Sequence, residues 1–391
     1  MKEDFIKYQA QTTPHPLAME IKSAKGSYIT DTNGKKYLDF VAGVSANSLG
    51  HNHPKVSKAI KDQLDCYAHV MVYGEFIQKP ALELCKKLAA HLPENLSSVY
   101  LTNSGTEATE GAMKLAKRFT GRSGFIAANN AYHGNTQGAM SLCGAETQNR
   151  PFRPLLPGVQ FIQFNDEKDL KKITSKTAGV VLETIQGGAG FIVPRNNYLQ
   201  KVKKRCEEVG ALLILDEIQT GVGRLGTLFG FQHFAVNPDI FITGKGLGGG
   251  MPIGAFISSN EIMSTLQDKP KLGHITTFGG NPVIAAAALA TLEEITSSNL
   301  MQEVLRKETL IRSLLQHPNI KEIRGKGLML AVMVESPEIA NKVVLECLDA
   351  GLILFWLLYE NKAIRISPPL TISDKEIKIG CTQILKILDT V

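Results

Sequence analysis

The stretch Ala211-Leu212-Leu213-Ile214-Leu215-Asp216-Glu217 joins a run of apolar residues to two adjacent carboxylates. A run of this kind predicts a strand that is buried on both faces, as in the parallel sheets of α/β proteins. Ligands of open α/β sheets bind at the carboxyl ends of the strands, where Asp216 stands. An isolated buried carboxylate costs several kcal/mol, so we expect Asp216 to have a cationic or hydrogen-bonding partner, or else a structural role such as a helix cap.

Six further short apolar runs resemble this one, and glycine-rich or polar turns separate them along the chain. Stretches with apolar residues at helical spacing follow several of these runs. The alternation predicts an α/β fold built on one open, doubly wound, mostly parallel sheet of seven strands. The predicted strands cover residues 98–102, 124–128, 159–164, 178–183, 211–216, 239–243 and 253–258.

The pattern changes after the last of these strands. An alanine-rich segment predicts one long helix over 281–296, and short strands at 328–334 and 363–366 with a terminal helix indicate a smaller α+β domain. The first 45 residues contain a hairpin signal within 26–40, and we expect them to join this small domain. The predicted organisation is an N-terminal segment 1–45, a large domain 46–288 and a C-terminal small domain 289–391.

Length, charge and cysteine content exclude several classes of protein. A chain of 391 residues is long enough for two or three domains with a large core. The 43 Lys and Arg exceed the 37 Asp and Glu by six, and their densest run, 201–205, is typical of a solvated helix face, so we expect no nucleic-acid partner. No apolar stretch approaches a membrane span, and the start lacks a signal-peptide core. The six scattered cysteines indicate reduced thiols, no metal site and a cytoplasmic protein.

A turn rich in hydroxyl groups follows the first predicted strand of the sheet. Residues 102–108 read Thr-Asn-Ser-Gly-Thr-Glu-Ala, and a helical pattern begins directly after them. Ser104 and Glu107 have the spacing of a helix-capping box. The same turn is also suited to an anion, because Gly105 lets a ligand approach the backbone and the helix N-terminus offers free N–H groups and a positive dipole end. The two roles are compatible.

One lysine lies in a loop of glycines after another predicted strand. The loop reads Thr243-Gly244-Lys245-Gly246-Leu247-Gly248-Gly249-Gly250. It is not a Walker A loop, which has Ser or Thr where Gly246 stands. A surface lysine needs no such surroundings, whereas glycine-rich turns permit close approach of the backbone to a ligand. Lys245 is therefore a candidate functional residue.

Residues 221–226 match the Gly-x-Gly-x-x-Gly pattern of dinucleotide-binding proteins, but their context is wrong. Three residues separate the pattern from the preceding strand, and residues 227–231 do not open a helix. The next acid, Asp239, precedes a strand, whereas the acid of the dinucleotide fingerprint ends one. We therefore predict no nicotinamide or flavin site here.

Five motifs together carry a resemblance to a known family. They are Ser104-Gly105-Thr106, Tyr132-His133-Gly134, Asp216-Glu217-Ile218-Gln219-Thr220-Gly221, Thr243-Gly244-Lys245 and Thr276-Thr277-Phe278-Gly279-Gly280-Asn281-Pro282. In this order they resemble the class III pyridoxal-phosphate aminotransferases, and the closest branch is that of acetylornithine and ornithine aminotransferases. The resemblance extends from about His15 to the C-terminus. It implies a fold type I homodimer, with a large domain around the seven-stranded sheet and a small domain made from both chain ends.

The resemblance implies a role for each residue of the cofactor site. Lys245 looks like the lysine that binds pyridoxal phosphate covalently. Asp216 looks like the partner of the ring nitrogen, which it keeps protonated so that the ring can accept electrons. Gln219 is expected to contact the phenolic oxygen of the cofactor, and Tyr132 is expected to stack on its ring.

Residues that match the family also surround the expected phosphate site. The residues expected at the phosphate are Ser104, Gly105, Thr106 and Thr277 of the partner subunit. The active site is therefore expected to be shared across a dimer. Glu183 matches an acid of the family, and we expect Glu183 and His133 to act on the site through their neighbours.

A carboxylate-binding arginine is also implied. Residues 363–370 resemble the C-terminal motif whose arginine holds the substrate carboxylate, which makes Arg365 the candidate. A planar guanidinium binds a carboxylate through two parallel hydrogen bonds, and hydrogen bonds to charged groups contribute ~1.5–3 kcal/mol. Thr276 and Arg153 are the alternative candidates for this contact.

Four positions depart from the ornithine-type pattern. Asn135 stands where the family has an arginine for a distal carboxylate, and Gly188 stands where it has the glutamate that neutralises the C-terminal arginine. Pro14 replaces a substrate tyrosine, and Ile275 replaces a glycine. An enzyme in which Arg365 is always available should favour substrates whose amine lies near the carboxylate.

Transamination is the reaction that the resemblance implies. The donor would leave its amino group on the cofactor while Lys245 moves the proton, and a 2-oxo acid, usually 2-oxoglutarate in this branch, would then take the amino group in a ping-pong cycle. An aminomutase or a decarboxylating transaminase is the alternative with the same fold. A non-enzymatic ligand-binding protein is the alternative from a different class, and the presence of Lys245, Asp216 and Gln219 argues against it.

Overall fold

The computed structural model describes all 391 residues and contains three β-sheets with helices packed against them. The strands are β1 (Ile21–Lys25), β2 (Tyr28–Asp31), β3 (Lys36–Asp39), β4 (Ser98–Thr102), β5 (Gly124–Ala128), β6 (Val159–Ile162), β7 (Thr177–Glu183), β8 (Leu212–Asp216), β9 (Ile240–Gly244), β10 (Gly254–Ser258), β11 (Ile320–Lys326), β12 (Met329–Val334), β13 (Leu352–Ile353), β14 (Phe355–Trp356) and β15 (Ala363–Ile366). The α-helices are α1 (Lys2–Tyr8), α2 (Ala42–Ser45), α3 (Pro54–Cys66), α4 (Lys79–Ala89), α5 (Gly105–Thr120), α6 (Gln137–Ser141), α7 (Glu146–Asn149), α8 (Tyr198–Val209), α9 (Asn260–Ser264), α10 (Pro282–Ser297), α11 (Leu300–Leu314), α12 (Pro337–Asp349) and α13 (Asp374–Leu388).

The central sheet has seven strands in the order β4-β10-β9-β8-β7-β5-β6. Only β10 runs antiparallel to its neighbours, so the sheet is mostly parallel. The seven strands predicted from the sequence are all present, with ends that agree within two residues. The prediction succeeded because every residue of β7, β8, β9 and β10 is buried, which requires continuous apolar runs.

Two helical layers cover the faces of this sheet. In β8, Leu212 and Ile214 pack into the core cluster that contains the apolar face of α5. Leu213 and Leu215 point to the opposite face and pack into the cluster that contains α8. The alternation of side chains along a strand thus explains why an uninterrupted apolar run is required here. The predicted α/β fold, with a seven-stranded mostly parallel sheet, is confirmed.

Both ends of the chain meet outside the central sheet. One small sheet has the antiparallel order β11-β12-β15-β14, and the other has the order β1-β2-β3-β13. The predicted hairpin is present as β2 and β3, and β13 from the C-terminal part pairs in parallel with β3. The backbone N–H of Ser367 donates to the oxygen of Phe40 (2.7 Å), and that of Leu370 donates to Ser48 (2.8 Å). The sheet β1-β2-β3-β13 therefore combines residues from both chain ends, whereas the sheet β11-β12-β15-β14 is C-terminal throughout.

The long helix expected after Asn281 is α10, and it links the two regions. α10 packs against α3 and α4, and it is followed at once by α11. The predicted domain boundary at 288/289 lies inside α10. The division into 1–45, 46–288 and 289–391 stays a prediction.

The surface features agree with the expectations for charge and cysteine. The basic run in α8 is held in ion pairs, in which Lys201, Lys203 and Arg205 contact Glu167, Asp239 and Glu208 respectively. All six cysteines are free thiols. None of the helices has both the length and the apolar character that crossing a membrane requires.

Candidate active site

Several loops converge at one edge of the central sheet, where its parallel strands end. β4, β5, β7, β8 and β9 run in the same direction, so their carboxyl ends lie side by side. A cavity of about 460 Å³ opens at this edge, between the large sheet and the small sheet that contains β15. The predicted site residues that line it are Gly105, Thr106, Tyr132, His133, Asn135, Glu183, Gly188, Asp216, Gln219, Lys245 and Arg365.

Lys245 follows the end of β9 and projects into this cavity. Its backbone is held in the left-handed region (φ 40°), which is strained for a residue with a side chain and is typical of functional sites. Burial, together with the nearby charge of Arg365, lowers the pKa of Lys245 to about 8. The uncharged amine, which is the nucleophilic and proton-accepting form, is therefore far more populated near neutral pH than in an ordinary lysine.

Asp216 ends β8 and has the partner that the sequence led us to expect. Nδ1 of His133 donates a hydrogen bond to its Oδ2 (2.8 Å), and the backbone N–H of Ile218 donates to its Oδ1 (2.9 Å). Burial by itself would lower the pKa of His133, but the hydrogen bond to Asp216 and the charges of Asp216 and Glu183 outweigh burial and raise it. The hydrogen bond to Asp216 therefore stabilises the protonated form of the His133 ring.

Glu183 lies directly opposite Asp216, at the end of the neighbouring strand β7. Its carboxylate accepts hydrogen bonds from the backbone N–H groups of Gly187 (2.9 Å) and Tyr132 (3.3 Å). Burial raises the pKa of Glu183 to about 7. Glu183 thus fixes the loop before Gly188 and the loop that contains Tyr132.

The turn between β4 and α5 has the features of an anion site. Ser104 caps α5 by accepting a hydrogen bond from Glu107 N (3.3 Å), while Glu107 accepts from Asn103 N (2.9 Å), so one half of the predicted capping box is formed. Gly105 and Thr106 are the first two helical residues, whose N–H groups have no acceptor within a helix. A Cβ on residue 105 would lie 2.5 Å from Cδ1 of Ile218, so a larger residue would have to displace that side chain.

These observations allow a test of whether pyridoxal phosphate fits. The free helical N–H groups at Gly105 and Thr106 suit a phosphate. Nε2 of Gln219 is buried without a hydrogen-bond partner. Asp216 supplies a buried acid and Lys245 an amine. The donors and acceptors at this edge of the sheet therefore fit a phosphorylated pyridine aldehyde.

Arg365 approaches the cavity from β15 of the small sheet. The residue is 5% exposed, and its Nε and Nη1 atoms have no hydrogen-bond partner. No carboxylate pairs with it, and burial lowers its pKa to about 10. The ring centroid of Phe191 lies 5.9 Å from its guanidinium carbon. A buried guanidinium without an acid is strongly favoured to bind an anionic ligand.

Gly188 occupies a crowded position beside this arginine. A Cβ on residue 188 would lie 2.9 Å from the ring of Tyr359, and the N–H of Tyr359 donates to the oxygen of Gly188 (3.0 Å). Tyr359 thus fills the space that a side chain at 188 would need, so no glutamate can face Arg365 without moving this ring. Asn135 is exposed where it lines the cavity.

Four predicted residues do not line this cavity. Ser104 only caps α5, as described above. Thr276 accepts a hydrogen bond from Nδ2 of Asn103 (2.8 Å), and Thr277 is exposed to solvent. Arg153, one of the alternative carboxylate contacts, pairs with Glu146 on the surface, so it does not serve the cavity.

The sequence did not reveal the apolar wall of the cavity. Phe355, Trp356 and Leu358 line it from β14 and the turn after it, and Val44 and Ile185 contribute from elsewhere. Phe355 pairs directly opposite Arg365 in the small sheet. The one available signal was the single tryptophan of the chain, which lies in a cluster of large apolar residues shortly before the Arg365 motif.

Comparisons with known proteins agree with this site. A family model described as Aminotransferase class-III matches residues 8–388. The putrescine aminotransferase of Pectobacterium atrosepticum is 40% identical over 387 residues, which cover 94% of this chain and 81% of that protein. The acetylornithine aminotransferase of Bacillus subtilis is 39% identical over 366 residues, which cover 92% of each chain.

Solved structures give the same result. The ornithine aminotransferase of Toxoplasma gondii is similar with a TM-score of 0.92 and 32% identity, over 100% of this chain and 95% of that chain. Another structure of ornithine aminotransferase from Toxoplasma gondii has partial occupancy of pyridoxal phosphate at the active site. The chain belongs to the class-III aminotransferases and is a pyridoxal-phosphate-dependent transaminase.

Proposed function

We propose that this transaminase moves the amino group of an α-amino acid to a 2-oxo acid, with 2-oxoglutarate as the first candidate acceptor, in a ping-pong cycle. One observation supports the α-amino donor above all. The buried guanidinium of Arg365 has no acidic partner and shares the cavity with Lys245. A carboxylate held by Arg365 would place a neighbouring amine close to the reacting lysine.

The roles of the chain's own residues follow from their chemistry. Bound pyridoxal phosphate supplies an electron-accepting ring that stabilises the charge left when the α-proton is removed. Gly105 and Thr106 would hold its phosphate, Gln219 its phenolic oxygen, and Tyr132 its ring face, while Ser104 caps the helix that offers the free N–H groups. Asp216, supported by His133, would keep the ring nitrogen protonated, because an anion stabilises a nearby cation in a buried site.

Lys245 would move the proton. Its pKa of about 8 lets it take a proton from the α-carbon and return it elsewhere without a large energetic penalty, since general bases work best near the ambient pH. Arg365 would hold the substrate carboxylate, and the apolar residues Phe355, Trp356 and Leu358 would exclude water from the rest of the cavity.

The lining of the cavity argues against donors with a second ammonium group and against donors whose carboxylate is distant from the reacting amine. Glu183 is occupied by two backbone N–H groups, and Asp216 would face the ring nitrogen of the cofactor, so neither acid is free to bind a distal ammonium. Asn135 provides no charge for a distal carboxylate. Relatives named acetylornithine and putrescine aminotransferase nevertheless make those donors the necessary comparison.

A donor screen is the direct test of this proposal. Conversion of α-amino acids, acetylornithine, ornithine and putrescine would be measured with 2-oxoglutarate and with pyruvate as acceptors. We expect α-amino acids with uncharged side chains to give the highest kcat/KM. A strong preference for acetylornithine or putrescine would contradict the proposed donor class. Release of carbon dioxide, or an isomerised product without an acceptor, would instead support the decarboxylating or aminomutase alternative.

Arg365→Ala is expected to lower kcat/KM by ~10²–10³-fold for α-amino donors and for 2-oxoglutarate, because about 3–4 kcal/mol of charged hydrogen bonding is lost. Steady-state kinetics of both half-reactions would measure the change. Arg153→Ala is the matched control, since Arg153 lies on the surface, and it should leave both values unchanged. Intact half-reactions in Arg365→Ala would show that another residue binds the carboxylate.

We also propose that the enzyme is a homodimer in which Thr277 reaches the phosphate site of the partner. A groove of about 510 Å³ is lined by Phe76, Ile77, Leu82 and Thr276, and Thr277 is exposed beside it. Ile77 is 91% exposed. An apolar patch of this kind on a metabolic enzyme marks an interface, and a second copy would cover it. The free thiols suit a reducing compartment, and we propose the cytoplasm.

Ile77→Asp is expected to weaken the dimer by ~10²-fold or more, because two unpaired carboxylates would be buried at the symmetric contact. Activity should fall in parallel as the shared sites are lost. Analytical ultracentrifugation over a range of protein concentrations would measure the change. Ile379→Asp, at an exposed position of α13 outside the groove, is the control. An unchanged dimer in Ile77→Asp would place the interface elsewhere.

A further inference from the structure

A completely buried arginine joins the large and small parts of the molecule next to the active site. Arg224 is 0% exposed and belongs to the Gly-x-Gly-x-x-Gly segment at 221–226. Its Nη1 donates to the backbone oxygens of Leu328 (3.1 Å) and Pro368. Its Nε and Nη2 atoms have no partner, and no carboxylate pairs with it. Neither the cofactor site nor the proposed carboxylate contact uses this residue.

The two carbonyl groups belong to the strand pair that contains Arg365. Leu328 immediately precedes β12, and Pro368 follows β15 by two residues. These strands are antiparallel, with Ala331 opposite Arg365 and Leu330 opposite Ile366. Arg224 therefore binds the backbone beyond the Leu330–Ile366 end of this strand pair. Arg365 is next to Ile366 and so lies near that end.

The backbone at residue 224 makes a second connection to the same place. The N–H of Leu328 donates to the oxygen of Arg224 (3.0 Å). A Cβ on residue 327 would lie only 2.5 Å from that oxygen, so the two loops approach as closely as glycine allows. Gly223 has a φ of +85° and packs against Leu370, which follows β15. The glycines of this segment thus serve close packing between two parts of the chain.

The other end of this connection is the cofactor site. Asp216 and Gln219, which line the cavity, precede Arg224 by only eight and five residues. Glu217 makes the intervening loop rigid, because its buried carboxylate accepts hydrogen bonds from the side chain of Thr220 (3.0 Å) and from the N–H of Gly230 (2.6 Å). A rigid segment therefore leads directly from the residues expected at the cofactor to Arg224.

A buried guanidinium without an acid is a costly way to fill space. Its desolvation disfavours the folded state, and an apolar residue of similar volume would pack at lower cost. What an arginine adds is directional hydrogen bonding to two carbonyl groups from one nitrogen. The arrangement therefore fixes the positions of the two carbonyl groups, and it does so at a cost in folding free energy.

We propose that Arg224 is a positioning residue that fixes β15, and hence Arg365, relative to the segment that contains Asp216 and Gln219. It sets the distance between the substrate carboxylate and the reacting amine. A small displacement of reacting groups can lower the rate ~10²-fold. The inference rests on the proposed role of Arg365 in holding the carboxylate.

The test uses Arg224→Lys and Arg224→Met in the holoenzyme. The substrates are the best α-amino acid of the donor screen and the primary amine that has the same side chain but no carboxylate. We expect kcat/KM for the amino acid to fall about 10- to 100-fold, through kcat as well as KM, and the value for the amine to change less than about twofold. Binding of propanoate, measured by calorimetry, should weaken in parallel, while the visible absorbance of the bound cofactor stays the same.

Arg122→Lys is the matched control. Arg122 also donates to backbone oxygens, those of Thr177, Val209 and Gly210, but Thr177 begins β7 and so lies at the opposite edge of the sheet from the cavity. We expect any change in the kcat/KM of this variant to be the same for the amino acid and for the amine. Thermal denaturation of all variants would separate a general loss of stability from a specific loss of carboxylate binding.

A double-mutant cycle with Arg365→Ala completes the test. In that background Arg224→Lys should cause no further loss with the amino acid, because the group that it positions is absent. Additive losses, or equal losses for the amino acid and the amine, would show that Arg224 only stabilises the fold. The proposed function has its own criterion, since Arg365→Ala without effect on carboxylate substrates would contradict it whatever Arg224→Lys does.

Discussion

Lys245→Ala is expected to abolish transaminase activity, with a loss of at least ~10⁴-fold, and to remove the visible absorbance of covalently bound pyridoxal phosphate. The reason is that Lys245 is the one lysine that lines the cavity, so no other amine can replace it in binding the cofactor or moving the proton. The spectrum of the purified protein and its steady-state activity would be measured together. The two losses should coincide.

Lys176→Ala is the control for this variant, because Lys176 is an exposed lysine away from the cavity. It should keep both the absorbance and the activity. Wild-type protein that stays colourless after incubation with the cofactor would overturn the assignment of Lys245. Substantial turnover by Lys245→Ala would show that another group moves the proton.

Asp216→Asn is expected to slow proton abstraction by ~10³-fold or more, which corresponds to about 4 kcal/mol of lost transition-state stabilisation. Asparagine keeps the shape of the side chain but cannot stabilise a protonated ring nitrogen. The variant should also lower the pKa of His133, because the hydrogen bond and the charge that raise it are both weakened. Single-turnover kinetics would measure the first effect, and NMR titration of His133 would measure the second.

Asp268→Asn, at an exposed position outside the cavity, is the matched control and should leave the rate and the titration of His133 unchanged. Near-normal turnover by Asp216→Asn would mean that a different acid lies beside the ring nitrogen. Glu183 is then the first alternative, since it stands opposite Asp216 on the next strand.

The cofactor side of the site could be predicted because its residues follow a local rule. Asp216 ends one apolar strand and Lys245 directly follows another, and the ends of parallel strands meet at one edge of a sheet. Knowing the strands was therefore enough to place both residues in one cavity. The turn from Ser104 to Thr106 was found in the same way, because it joins a strand to a helix.

The substrate side could not be predicted so well, because it depends on contacts between distant parts of the chain. Arg365 was found by resemblance, but its lack of an acidic partner is visible only in the fold. Tyr359 lies more than 170 residues after Gly188. Neither the residues around Gly188 nor those around Tyr359 indicate that the tyrosine ring fills the space beside the glycine. The apolar wall formed by Phe355 and Trp356 belongs to a strand of only two residues, which is too short for any periodicity to indicate.

The sequence by itself determined the class of fold, the seven strands and the candidate catalytic pair, since burial on both faces imposes continuous apolar runs that are legible along the chain. It also excluded the 221–226 segment as a dinucleotide site, because a fingerprint has a required local context. Only the tertiary structure decided what that segment does instead. The hydrogen-bond partners of Arg224 lie 104 and 144 residues from it along the chain. His133 and Asp216, which bind each other, are 83 residues apart. Hydrogen bonds over such distances depend on how the strands associate within the large sheet and on how the small sheets pack against it, and such contacts produce no periodic pattern in the sequence.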